Sequence, residues 1–255
     1  MRMKTCKILL SNLGYACGFN GRLSHHLIYA HRHVYCSPKV QKCALQQLNA
    51  LIAQEDPDIC CFVEIDKGSF TSAGYNQIQT LISDKYAYFD IGNKYAITSR
   101  FRSFFMTKGK CLAFVSKCKL LHEKLYFGCG MKRLIYKVAV DERLTLFFAH
   151  FSLSKRVRER QILEARELMK NASGDVIFLG DFNILTGICE LDPLLEQGSF
   201  ILLNREDIPT FTFHKRRLVL DLCICSKSIT KQASLKVIPQ PFSDHAALIL
   251  EVTCN

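Results

Sequence analysis

Apolar runs of strand length that stop on a carboxylate, an amide or an imidazole recur along this chain, and they constrain its fold more than any other feature. The clearest is DVIFLGDFN, residues 175–183, in which an apolar run ends on Asp181 and Asn183. A nearly continuous apolar run bounded by turn signals is the pattern of a strand covered on both faces. A carboxylate or amide at the mouth of such a strand is costly unless something pairs with it. DICCFVEI (58–65) carries Glu64 in the same way, LTLFFAHF (144–151) carries His150, LVLDLCICS carries Asp221, and SDHAALILEV carries Asp244 and His245.

Helical patterns alternate with these runs. In CSPKVQKCALQQLNALIAQEDPD, Ser37 suits a cap and Pro38 a first turn, and Val40, Cys43, Ala44, Leu48, Leu51 and Ile52 share one face before QEDP ends the helix. RVRERQILEARELMKNASG predicts a second helix with Ile162, Ala165, Leu168 and Met169 inward, closing at Gly174. The runs RLIYKVAV, LVLDLCICS and HAALILEV follow without helices between them, so α/β units mix with antiparallel hairpins. No linker, low-complexity block or internal repeat interrupts the chain, which predicts one domain over residues 1–255.

Composition narrows the partners. Lys and Arg exceed Asp and Glu by 34 to 23, a formal charge of +11 that favours nucleic acid or an acidic membrane surface. Thirteen cysteines are an odd count with no C-x-x-C pair, and Cys60, Cys61, Cys223 and Cys225 sit inside apolar runs. That spacing predicts reduced core thiols in a reducing, cytoplasmic compartment and argues against a disulfide scaffold. The basic opening MRMK is followed by an apolar stretch too short for a signal peptide, and no window approaches the roughly 18 apolar residues that span a bilayer.

Taken singly, Glu64 reads as a strand end, His150 as a satisfied core histidine and Asp181 as a turn residue. As a set they read as a phosphate-ester hydrolase, because carboxylates and amides suit a magnesium-type cation and two histidines supply proton transfer and charge stabilisation. The ordered motifs LLSNLGY (Asn12), PDICCFVEI (Glu64), FFAHFSL (His150), LGDFN (Asp181, Asn183), LDLCICS (Asp221) and FSDHAAL (Asp244, His245) span nearly the whole chain. In them the chain resembles the endonuclease/exonuclease/phosphatase superfamily, which includes deoxyribonuclease I, abasic-site endonucleases, inositol polyphosphate 5-phosphatases and neutral sphingomyelinases.

The resemblance implies a four-layer α/β/β/α sandwich of two packed mixed sheets flanked by helices, with the site at one end of the sheets. It implies Mg2+, with Mn2+ as an alternative, held by Glu64 with help from Asn12 and Asp244. Asp181 would orient or deprotonate water, Asn183 would donate to the phosphate, and His245, held by Asp221, would contact the phosphoryl group. His150 would stabilise charge or protonate the leaving group from the other side. The implied function is an Mg2+-dependent phosphoesterase, with nucleic acid as the first substrate class. A phospholipid or inositol-phosphate hydrolase is the alternative, and a catalytically silent binding protein a further one.

The sequence departs from the family at Val63, where Gln often precedes the metal glutamate, and at Leu222, where an aromatic is usual. GNKYAITSR (92–100) leaves Asn93 either facing substrate or holding a turn. His25, His26, His31, His33 and Cys36 read as a polar insertion beside the cleft or as a soft-metal site, although no zinc spacing is present. SKRVRERQ sets Lys155, Arg156 and Arg158 just after His150, either tracking substrate phosphates or as a solvated helix face.

Overall fold

A computed structural model describes residues 4–196 and 198–254; the first three residues of the basic opening lie outside them. The strands are β1 (Lys4–Asn12), β2 (Ile59–Asp66), β3 (Tyr88–Asn93), β4 (Lys110–Ser116), β5 (His122–Tyr126), β6 (Leu134–Ala139), β7 (Leu144–His150), β8 (Asp175–Asp181), β9 (Phe200–Leu202), β10 (Phe211–Phe213), β11 (Arg216–Leu218), β12 (Asp221–Ser226), β13 (Ala233–Ile238) and β14 (Ala247–Cys254). The α-helices are α1 (Leu23–Ile28), α2 (Pro38–Glu55), α3 (Lys155–Lys170) and α4 (Asp192–Leu195). None of the described helices is long and apolar enough to cross a membrane.

Two six-stranded mixed sheets carry the fold, in the orders β13-β14-β1-β2-β4-β3 and β5-β6-β7-β8-β12-β9. The period-two alternation of each strand divides its apolar residues between two layers. Ile8, Leu10, Cys61, Val63 and Phe114 of the first sheet meet Tyr136, Leu146, Phe148, Ile177, Leu179, Cys223 and Cys225 of the second between the sheets. The opposite face of the first sheet packs Leu9, Cys60 and Phe62 on Ala44, Leu45, Leu48 and Ile52 of α2. The outer face of the second packs Phe147, Phe178, Leu222 and Ile224 on Ile162, Ala165 and Met169 of α3. The four layers α/β/β/α follow, and Cys60, Cys61, Cys223 and Cys225 are free thiols buried inside them.

Leu222 packs among these outer-face residues, where an aliphatic side chain is at home. Gly180 has a steric reason: a Cβ there would lie 2.4 Å from the carbonyl oxygen of Ala149 on the neighbouring strand. α2 departs from its expected face, because Cys43 is exposed while Gln41 and Leu45 are buried. Gln41 is tolerated inside because its amide is fully engaged. It donates to the carbonyls of Cys36 (2.8 Å) and Ser72 (3.0 Å) and accepts from Gln77 (2.7 Å).

Arg158 is a correction to the expected substrate-tracking charges. Its side chain is 1% exposed and forms a fork with Glu190, with Nε and Nη2 each 2.9 Å from a carboxylate oxygen. Its Nη1 donates to the carbonyls of Ser152 and Leu153, each at 3.0 Å, which anchors the loop leaving β7. A cation buried and engaged in this way is not presented to a substrate phosphate. Breaking such a pair leaves an unpaired buried charge, so Glu190→Ala should lower unfolding free energy by about 3–5 kcal/mol. Denaturant unfolding of the variant checks this, and a loss below about 1 kcal/mol, the scale of an exposed pair, would contradict it.

Candidate active site

The polar strand ends converge at one end of the two sheets. β7 and β8 run parallel in register, so His150 lies beside Asp181, and β12 runs antiparallel to β8 with Asp221 opposite Asp181. His245 is presented by the turn before β14, and its Nδ1 lies 2.7 Å from Asp221 Oδ2. Asn12, ending β1, donates through Nδ2 to Asp181 Oδ2 at 3.0 Å, and the same nitrogen is 3.4 Å from His245 Nε2. Asn183 takes a left-handed conformation, φ 53°, which turns its backbone N–H back onto Asp181 Oδ1 at 3.0 Å.

Glu64 reaches this cluster through a β-bulge. Phe62 pairs with Ala113 and Ile65 with Cys111, so three steps on β2 match two on β4. Val63 faces the layer between the sheets, yet Ile65 packs on the α2 side with Phe62. One residue has been added to the alternation, and it is Glu64, at φ 57°. A positive φ costs a non-glycine residue about 1–3 kcal/mol and persists only where surrounding structure over-determines it. The bulge takes the carboxylate out of the packed layers and into a cleft of about 290 Å³ that it shares with Asp244 and His245.

Charge inside the cluster is strongly structured. Burial disfavours a charged ring at His245, but Asp221, through charge and hydrogen bond, with Asp181 and Asp244, raises its pKa to about 10. It is an imidazolium at neutral pH. Burial lifts Asp181 to about 7, with Asp221 and Glu64 adding to the rise and His245 and Lys132 opposing it. Burial likewise lifts Asp244 to about 6. At Glu64 burial is outweighed by Lys132, Lys94, His245 and Lys110, which hold it ionised below the usual carboxylate range.

Lys94, Lys110 and Lys132 were not singled out by the sequence, although Lys94 directly follows Asn93. Lys94 is 7% exposed and bonds the Tyr15 hydroxyl, while Lys110 lies 3.6 Å from the Tyr15 ring centroid and 3.2 Å from Asp66. Burial brings Lys94 down to about 7. Lys132 touches His150 Nε2. The same nitrogen lies 3.3 Å from Asp181 Oδ2, and Nδ1 faces Glu64 Oε1 at 3.8 Å. Burial, then Lys132 and Lys94, hold His150 neutral, well below its usual range.

Other expected residues sit apart. The amide of Asn93 donates to Lys108 O (2.8 Å) and accepts from Tyr95 N (2.9 Å), so it holds a turn. Asn183 stays in the cluster through its backbone N–H, while its side-chain amide gives one N–H to Phe151 O at 2.9 Å. Lys155 and Arg156 are exposed on the first turn of α3, and Lys155 lines a groove with Glu159, Leu163 and Cys189 that shares no residue with the Glu64 cleft. The histidine insertion does border the cleft: His26 and His33 stack on Phe19 at 4.5 and 4.3 Å, and all three line it. Gly21 clamps that insertion to the β10–β11 hairpin, where a Cβ would meet the carbonyl oxygen of Thr212 at 2.0 Å. The histidines pack on aromatic rings, an arrangement unlike the tetrahedral convergence of a zinc site.

The His245–Asp221 pair yields a pH test. In chelated protein, NMR titration of His245 should show a protonated ring through neutral pH, with deprotonation near about 10. Asp221→Asn removes the largest favourable influence and should bring that midpoint down by at least about 1 pH unit. A wild-type ring already neutral at pH 7 would contradict the assignment.

The chain matches the model of the endonuclease/exonuclease/phosphatase family over residues 37–245. No curated protein matches it significantly. Among solved structures it is similar to an endonuclease/exonuclease/phosphatase protein from Beutenbergia cavernae, with TM-score 0.70 and 13% identity over 100% of this chain and 72% of that one. It is also similar to D. rerio TDP2 complexed with a single-strand DNA product, with TM-score 0.65 and 16% identity over 98% and 99% of the two chains. The endonuclease domain of TRAS1, a telomere-specific non-LTR retrotransposon, aligns with TM-score 0.58 and 15% identity over 98% and 99%. With the sandwich and the converging strand ends, the family match over most of the length is decisive: the chain belongs to the endonuclease/exonuclease/phosphatase family.

Proposed function

We propose that the protein is a metal-dependent phosphodiesterase and that nucleic acid is its substrate. The observation that carries the reading is the pair Asn12 Nδ2 and His245 Nε2, 3.4 Å apart. Asn12 is oriented by Gly14, whose N–H donates to Oδ1 at 3.0 Å, so its nitrogen faces the imidazolium. Two N–H donors so placed do not satisfy each other; a phosphoryl oxygen accepting from both does. Asp181, next to them and held by Asn12 and Asn183, is the group to align and deprotonate water, and its pKa of about 7 suits a general base. Lys132, in contact with neutral His150, would bring positive charge to the departing group.

The donor set fits a hard divalent cation. Glu64 and Asp244 bring only carboxylate oxygens to the cleft. Cys17, which also lines it, is kept protonated far above its usual range by a hydrogen bond with Cys36 and by burial, so no thiolate competes. Mg2+, or Mn2+ in its place, would be held by Glu64 and Asp244, with Asn12 as the auxiliary that the resemblance implies. When bound, it supplies charge neutralisation at the phosphoryl oxygens. The cluster Asp181, Asp221 and His245 brings its ligand atoms within 4.8 Å of one another but is an internal ion pair, and an imidazolium does not ligate.

Net charge of +11 and the neighbours solved as a TRAS1 endonuclease domain and as TDP2 with single-strand DNA product support nucleic acid. A second reading, a phospholipid or inositol-phosphate headgroup, is favoured by apolar side chains standing out near the cleft, Leu27 at 69% and Ile97 at 71% exposure.

A panel of DNA, RNA, inositol phosphates and sphingomyelin with Mg2+ tests the reading. Hydrolysis of a polynucleotide should be lost on chelation and in Glu64→Ala. His245→Ala and Asp181→Asn should each lower turnover at least about 100-fold with folding retained. Undiminished turnover in excess chelator would remove the metal mechanism, and silence toward every substrate would leave a binding protein.

A further inference from the structure

Three loops meet on the rim beside Glu64. The histidine insertion (residues 18–36) joins the loop after β2 (67–75) through Cys36 N–H to Thr71 O at 2.8 Å. That loop joins the excursion that runs from the end of β3 to the first residue of β4 (94–110) through Phe70 N–H to Phe105 O (3.1 Å) and Lys67 N–H to Gly109 O (2.9 Å). Rings run across the seams, Tyr35 to Phe70 at 5.8 Å, Phe70 to Phe105 at 5.5 Å and Phe105 to Phe104 at 4.7 Å. The excursion starts at Lys94 and ends at Lys110, both beside Tyr15, so the rim is tied to the cleft at its base.

This rim is apolar and basic together. Ten of the eighteen strongly exposed large apolar residues among those described lie in the three loops. The loops contain eight Lys or Arg and no Asp or Glu; Lys94 is buried and Lys110 pairs with Asp66, which leaves six to the rim itself. Exposed apolar surface gathered on neighbouring loops in this way marks an interaction site. Acid-free basic charge beside it calls for an anionic partner.

Polynucleotide and anionic lipid both answer the charge, and the shape of the patch separates them. A base-stacking surface needs flat aromatic faces. Here the side chains that stand out furthest are aliphatic, with Leu27 at 69%, Ile28 at 67%, Val34 at 55% and Ile97 at 71%, while the rings of Tyr35, Phe70, Phe104 and Phe105 are 45–51% exposed and packed on one another. Aliphatic tips have no stacking face, but they enter the acyl boundary of a bilayer while Arg and Lys meet its headgroups.

We propose that these loops form a membrane-docking rim that seats the protein on an anionic lipid surface. The inference goes beyond the phosphodiesterase reading and does not rest on it, because docking is a property of the rim and needs no turnover.

Co-sedimentation of chelated protein with phosphatidylcholine vesicles, with and without phosphatidylserine, tests it. The protein should partition onto the phosphatidylserine vesicles and stay in solution with phosphatidylcholine alone. The variant Ile97→Ser/Phe104→Ser/Phe105→Ser removes exposed apolar tips without changing charge, and it should lower that partition at least about tenfold at an unchanged melting temperature. Neutralising Arg100, Arg102 and Lys108 should weaken binding most at low salt. A protein that ignores phosphatidylserine vesicles, or a triple Ser variant that partitions like wild type, overturns the proposal. So does a rim whose Ser variant loses a single-stranded oligonucleotide while neither protein binds vesicles, which would make it a base-stacking surface.

Discussion

The buried ion pair between Asp221 and His245 is the interaction on which the rest of the site depends. Asp221 is 1% exposed and His245 8%, and neither charge is tolerable there without the other. The pair stands where the ends of both sheets meet, with Asp221 on the second sheet and His245 leading into β14 of the first. It fixes the ring so that Nε2 faces Asn12, and Asn12 in turn holds Asp181. Sheet packing thereby sets the hydrogen-bond geometry of the cluster. Thr210 supports it from below, its hydroxyl accepting the backbone N–H groups of Leu220 (2.9 Å) and Asp221 (2.8 Å) where β12 begins.

A second charge arrangement lies across the cleft. Glu64 stands among Lys94, Lys110 and Lys132, and only Lys110 has a carboxylate in salt-bridge range, Asp66 at 3.2 Å, among the pairs formed by these three. Their field overrides the burial that would otherwise neutralise Glu64, which keeps an ionised oxygen donor available. The cost is carried by Lys94, whose ammonium is destabilised by burial and bonds a neutral hydroxyl. An anionic ligand bound there would relieve that imbalance.

Strand runs and their polar ends were legible in the sequence because period-two alternation and abrupt polar termination are local signals. Asn12, Glu64, His150, Asp181, Asp221, Asp244 and His245 do gather at one end of the sheets, as the motifs implied. What failed to show was tertiary. Arg158 belongs to a run that looks solvated, and only Glu190, 32 residues on, makes its burial possible. Lys94 and Lys132 look like ordinary surface lysines until folding brings them to Glu64. Cys43 looked like a core residue because cysteine is apolar, whereas the buried amide of Gln41 is paid for by partners on distant loops. The bulge at Glu64 leaves no trace in composition, since Val63 and Ile65 flank it as they would in a regular strand.

The central claim is that two adjoining groups divide the labour: Glu64 with Asp244 for the cation, and Asp221–His245 with Asn12 and Asp181 for the phosphoryl group and water. Anomalous scattering from crystals grown with Mn2+ tests that division most directly, because it locates the ion without reference to any substrate. The account predicts an ion coordinated by Glu64 with Asp244 beside it, and the His245–Asp221 pair intact. An ion ligated by His245 among Asp181 and Asp221, or one held by the histidines of residues 25–33, would contradict it.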